Sequence, residues 1–185
     1  MTGPALGIIE LTSIARGVLV ADAMVKKAPV RILQSHPISP GKHIIVIAGE
    51  VAEVDESMQA GLAVAGATLV DRLFLPQAHA QLGPLVAGQA TLRSDPLEAV
   101  AVFETFSVAS TVLAADAAAK AAEVTLLDMR LGQGLGGKGF FTMTGDLESI
   151  QAAADAGRAA IENGLLVGIE IIARPHEDLS RKLMW

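Results

Sequence analysis

The feature that most limits what this chain can fold into is that it says the same thing twice. Residues 5–33 set against 99–127 match at an offset of 94: Glu10 meets Glu104, Ser13 meets Ser107, Asp22-Ala23 meets Asp116-Ala117, Lys26 meets Lys120, and 13 of 29 positions are identical. Alanine matches come cheaply in an alanine-rich chain, but the ordered run Asp-Ala-x-x-Lys-x-Ala-x-Val does not. Beyond Leu33 the offset becomes 96, pairing Gly41-Lys42 with Gly137-Lys138, Gly49 with Gly145 and Ala60-Gly61 with Ala156-Gly157. The second copy thus carries two extra residues in a loop. Near the ends 73–75 answers 170–172, and His79 answers His176. Repeats at this spacing should be sought before anything else, and two domains of about 90 residues are of ordinary size. The copies occupy about 5–80 and 98–177. We divide the chain into a first domain at 1–82, a Gly/Pro-bearing linker at 83–97 and a second domain at 98–185.

Each copy reads as the same series of elements. Residues 5–10 form an apolar strand. Thr12 or Ser13 can cap a helix running to Lys27, with Pro29 just beyond its end. Residues 30–35 are a strand, 36–42 a Pro/Gly loop, and 43–48 a strand of Ile and Val. A second helix runs from Glu50 to about Leu69, and a last strand, 70–75, stops at Pro76. The order β-α-β-β-α-β is the split βαβ arrangement, which predicts an α+β (broadly α/β) class: two tandem ferredoxin-like domains, each a sheet with helices on one face.

Composition removes whole classes of function. The chain has no cysteine, so disulfides, thiolate zinc sites, cysteine-ligated iron–sulfur clusters and cysteine nucleophiles are absent. A net charge of −6 and 3% aromatic residues argue against a nucleic-acid partner, which wants a basic patch or stacking platform. The start of the chain lacks the basic and apolar regions of a signal peptide. No stretch of about 18 residues is free of charges and turn formers, so no membrane-spanning helix is expected.

Several constellations invite a chemical reading. Gly132, Gly134 and Gly137 satisfy G-x-G-x-x-G, and Gly132 to Lys138 satisfies the start of a P-loop. Both motifs present backbone N–H groups to phosphate at a helix N-terminus, whereas residues 140–144 read as a strand and Gly139 stands where Ser or Thr would hold magnesium. A glycine-rich loop between strands is the better reading. Asp22/Lys26 and Asp116/Lys120 are i,i+4 pairs, either surface ion pairs or the mark of a repeated contact. His36, His43, His79 and His176 read as loop or surface residues without a third metal ligand. Glu10 and Glu104 end equivalent strands beside helix starts, where a carboxylate can accept from backbone N–H groups. Nothing resembling a Ser/His/Asp set accompanies them, so no enzyme activity, metal or cofactor is assigned.

Residues 5–10, 21–28, the Gly41-Lys42 loop and the Ile-x-Arg-Pro-His ending at 172–176 together resemble bacterial microcompartment shell proteins of the tandem-domain, trimer-forming class. The resemblance spans nearly the whole chain in unpermuted order. It implies a homotrimer whose six domains make a flat pseudohexagonal tile, a structural, self-assembling component of a microcompartment shell in the bacterial cytoplasm. Partners would be neighbouring hexameric and pentameric tiles and encapsulated enzymes, and small polar metabolites would cross a central pore. The loops between second and third strands line that pore in the family, which here implicates Ile38, Ser39, Pro40 and Gly41 from the first copy and Gly134, Leu135 and Gly136 from the second. Tile-edge contacts would fall to Lys26, Lys120, Arg174 and His176. The first copy departs from the pattern, with Gln77-Ala78-His79 where Arg-Pro-His would stand. A tandem relative holds an iron–sulfur cluster through a Cys at the position of Ser39, and a hydroxyl is a poor substitute for thiolate. A redox tile using Ser39 or His36, and a nucleotide-regulated trimer using Gly132 to Lys138, are the competing readings.

Overall fold

The computed structural model describes residues 4–91, 97–162 and 164–180. They fall into two compact units, one within Met1–Gly83 together with Gly132–Gly137, the other within Pro84–Leu131 and Lys138–Trp185. The glycine-rich segment 132–137 of the second repeat therefore belongs to the first unit.

The first unit runs β1 (Ala5–Leu11), α1 (Ile14–Lys27), β2 (Arg31–Ile38), β3 (Lys42–Gly49), α2 (Val51–Ala65), a 3-10 turn (Gly66–Thr68) and β4 (Leu69–Leu75). A short helix, α3 (Leu82–Val86), follows. The second repeat runs β5 (Ala99–Thr105), α4 (Val108–Ala121), β6 (Thr125–Leu131), β7 (Gly139–Gly145), α5 (Leu147–Ala160) and β8 (Leu166–Ala173), with α6 (Glu177–Ser180) after it. The sheets are ordered β2-β3-β1-β4 and β6-β7-β5-β8, antiparallel throughout. β1 and β2 flank β3 rather than each other, which is the split βαβ topology.

The repeat extends to local detail. Ser13 and Ser107 cap α1 and α4, each side chain accepting from a backbone N–H three residues on. Asp146 caps α5 in the same way, but its counterpart Glu50 makes no such bond at α2. The ladder irregularities recur too, at Glu10/Leu11 and Glu104/Thr105, and again at Ile32/Gln34 and Leu126/Asp128.

In the first unit, Ile9, Leu11, Ile45 and Ile47 meet Val20 and Met24 of α1 and Val54 and Met58 of α2. In the second, Phe103 and Phe141 stack with centroids 5.1 Å apart. Gly61 and Gly157 let α2 and α5 approach the central strands. A Cβ on Gly61 would lie 2.8 Å from Ile9 Cδ1, and one on Gly157 3.1 Å from Phe103 Cε2.

Four expectations need correction. β2 extends through Ile38, so the loop at 36–42 shrinks to a turn at 39–41. Pro37 is tolerated because β2 is an edge strand. α2 stops at Ala65, where Gly66 at φ 51 ends it, rather than continuing to Leu69. The segment 83–97 is not all open linker: α3 begins at Leu82, and Leu85 and Val86 are buried, while 92–96 lie outside the described residues. His43 is buried, not a loop or surface histidine. Among the described residues no helix is long and apolar enough to cross a membrane.

Candidate functional site

The β2–β3 turn and segment 132–137 line a concavity of the first unit. A cavity of about 420 Å³ is lined by residues 36–41 with Gln133 and Gly134. Backbone contacts fix the two segments together: Ser39 N donates to Gly132 O at 3.1 Å, and Gly41 N closes the turn onto Ile38 O at 3.0 Å. Gly132, Gly134, Gly136 and Gly137 all have positive φ, a conformation other residues adopt only under strain. A glycine-rich sequence is thus required for the path of this loop. The loop joins β6 to β7, so no helix N-terminus awaits a phosphate there.

Of the seven residues expected at a pore, Ile38 is buried under Gly132, Ser39 is half-buried, and Pro40 and Gly41 are exposed at the turn tip. Gly134 lines the cavity; Leu135 and Gly136 follow it in the same loop and are not among the lining residues. Sequence reasoning considers His36 only for a redox tile and does not single out Gln133. His36 Nε2 meets Gln34 Oε1 at 2.9 Å, and Gln133 Nε2 lies 3.2 and 3.3 Å from the two ring nitrogens of His36. A pair 97 residues apart leaves no local signal. No lining residue carries a carboxylate, ammonium or guanidinium.

Glu10 and Glu104 do not serve helix N-termini. Lys42 Nζ donates to Glu10 Oε1 at 2.7 Å, and Lys138 Nζ to Glu104 Oε1 at 2.9 Å. The repeated Gly-Lys and the repeated Glu are therefore two halves of one interaction. His43 Nε2 meets Ser35 Oγ at 3.0 Å, while its Nδ1 is buried without a partner. Burial holds the His43 ring below its ordinary pKa, and the neighbouring His36 adds to this.

The four residues expected at tile edges lie at element ends. Lys26 is in the last turn of α1, paired with Asp22 at 2.6 Å and well exposed. Lys120 is in the last turn of α4, paired at 2.5 Å with an Asp116 that is buried. Arg174 follows β8 at φ 53, its N–H bound to Glu98 O, and His176 is exposed at the start of the C-terminal turn. Among the described residues no group of three His, Asp or Glu could hold a metal.

The chain carries two copies of one α+β fold, with the same strand order in each sheet. The sequence model of the BMC domain matches residues 5–78 and again 99–175. The chain is 41% identical over 181 residues to the bacterial microcompartment shell protein PduT of Citrobacter freundii, covering 97% of each. It is also 39% identical over 84 residues to the shell protein EutM of Salmonella typhimurium, covering 45% of this chain and 85% of that one. A solved microcompartment protein from Desulfitobacterium hafniense superposes with TM-score 0.89 at 42% identity, over 96% of this chain and 98% of that one. The chain belongs to the BMC-domain family, as a tandem-domain bacterial microcompartment shell protein rather than an enzyme.

Proposed function

We propose that three copies of the chain close into a pseudohexagonal tile, packed edge to edge with other shell proteins, with the 36–41 turns converging on a central pore. The observation that carries this reading is the unequal exposure of equivalent helices. Val18 of α1 is 60% exposed and its equivalent Val112 of α4 is 0% exposed; Ile14 and Val25 are likewise exposed, whereas Val108 and Ala119 are buried. An apolar stripe of this kind on an otherwise charged surface marks an interface. A closed cyclic arrangement covers it once per chain.

On this reading Lys26, Lys120, Arg174 and His176 meet neighbouring tiles, hexameric and pentameric, and enzymes lie behind the shell in the bacterial cytoplasm. The cavity lined by His36, Ser39 and Gln133 passes small polar metabolites, because hydroxyl, amide and imidazole offer donors and acceptors together. The test combines native mass spectrometry with cross-linking. The wild-type chain should give a trimer at micromolar concentration, and Ser39→Cys should cross-link between chains with a short thiol-specific reagent. A monomer removes the tile, and a Ser39→Cys trimer whose introduced thiols never cross-link removes the pore.

A further inference from the structure

Lys42 directly follows the turn that carries Ser39, yet its side chain is largely covered. It is held 2.7 Å from Glu10, with the Lys side chain one-quarter exposed and that of Glu10 1% exposed. The ammonium and the turn share one neighbourhood: a Cβ built on Gly137 would stand 3.1 Å from Ser39 O, 3.3 Å from Pro40 Cδ and 3.8 Å from Lys42 Nζ. Glu10 sits where the β1–β4 ladder shifts register, a place where side chains are re-aimed. Its second oxygen, Oε2, is buried and accepts no hydrogen bond. A buried carboxylate with one partner is a costly way to stabilise a sheet, and an apolar residue would do as well or better. What a carboxylate does here, and an apolar residue cannot, is cancel a charge.

We propose that Glu10 is a specificity-determining residue of the pore, masking Lys42 so that the ring of turns is electrically neutral and admits uncharged polar solutes in preference to ions of either sign. This deepens the pore reading above and rests on it. The lining side chains agree, since His36, Ser39 and Gln133 supply hydrogen bonds without a carboxylate, ammonium or guanidinium. The second copy keeps the pair in a looser form. Lys138 and Glu104 are each about two-fifths exposed, and the Lys138 ammonium also lies 5.9 Å from the Phe106 ring centroid.

The chain has no cysteine, so Ser39→Cys places a single reporter thiol on the turn. Its rates of reaction with a negatively and a positively charged methanethiosulfonate of similar size measure the local potential, at about pH 8 where histidine is neutral. In Ser39→Cys/Glu10→Gln the negative-to-positive rate ratio should rise roughly five-fold, the effect of an unmasked unit charge within about 8 Å of the thiol. Adding Lys42→Gln should return the ratio to that of Ser39→Cys alone. The rise should collapse in about 1 M KCl. If the pair only braces the turn, both reagents change rate in the same direction and the ratio stays put, which overturns the proposal. Ser39→Cys alone gives a reading without touching position 10: a masked pair leaves its ratio nearly independent of salt, and a steep fall with salt reveals a bare ammonium and overturns the masking. Loss of inter-chain cross-linking, by contrast, removes the pore and not the masking, because Glu10 and Lys42 pair within one chain.

Discussion

One contact between helix and sheet is made twice in this chain, with the parts exchanged. In the first repeat the helix supplies Gly17 and the strand supplies His43, whose ring lies where a Cβ on Gly17 would go. In the second, the equivalent helix position is Thr111 and the equivalent strand position is Gly139, and a Cβ on Gly139 would run into the Thr111 side chain. Large and small have changed places across the same gap. In each repeat the space over the glycine is filled from the opposite element by a different residue, as close packing requires. The polar atoms are handled differently as well. Thr111 Oγ1 is shared between Ser107 O and Thr105 Oγ1, whereas His43 is left with an unpartnered Nδ1. The first domain therefore carries a polar defect at this contact that the second lacks.

The sharpest break in the comparison should come from the paired helices α1 and α4. Val112→Asp puts a lone charge into a buried site and should cost about 3–5 kcal/mol, a large share of the margin of an ordinary domain. Val18→Asp, at the equivalent but exposed position, should change the stability of the isolated chain by no more than about 0.5 kcal/mol and yet weaken its self-association. Chemical denaturation and native mass spectrometry read the two effects separately. Equal destabilisation by both would show that the helices are alike after all.

Next in size is the exchanged contact. Gly17→Thr alone should cost about 1–3 kcal/mol by overpacking against His43. Combined with His43→Gly, which imitates the second domain, the pair should be less damaging than the sum of the singles, by about 1–3 kcal/mol in a double-mutant cycle. Strict additivity would mean that the two sites do not share a gap.

The smallest effect is in acid. The folded pKa of His43 lies below its ordinary 6.5 because burial disfavours the charged ring. Between that lowered value and 6.5 the unfolded chain binds the extra proton and the folded chain does not. Stability should thus fall as pH drops below about 6.5, and this loss should level off once the folded ring also titrates. Melting temperatures between about pH 7 and 5 should fall less steeply in His43→Gln than in the wild type. Parallel curves would show that some other group drives the acid sensitivity.

Much of this architecture is legible in the residues because period and capping are local signals. Ser13, Pro29, Gly49 and the apolar run at 43–48 each act within a few positions. The end of β2 is not, because Pro37, beside His36 and Ser39, reads as loop chemistry, and only its place at a sheet edge makes it acceptable. The Glu10–Lys42 pair is visible as two separate repeated motifs, but their union depends on β1 and β3 lying side by side. The placement of Gln133 beside His36, and of segment 132–137 within the first unit, depends on contacts about a hundred positions apart, which no local pattern encodes.

The exchanged glycines also bear on how such a chain folds without error. Two domains of the same topology on one polypeptide invite each helix to dock on the wrong sheet, the usual misassembly of tandem repeats. Here the wrong dockings are penalised in both directions. Helix α4 on the first sheet would drive Thr111 into His43, and helix α1 on the second would set Gly17 over Gly139 and leave a void. A steric mismatch of this kind acts as a key, so that each half of the duplicated chain accepts its own helix and rejects its sister's.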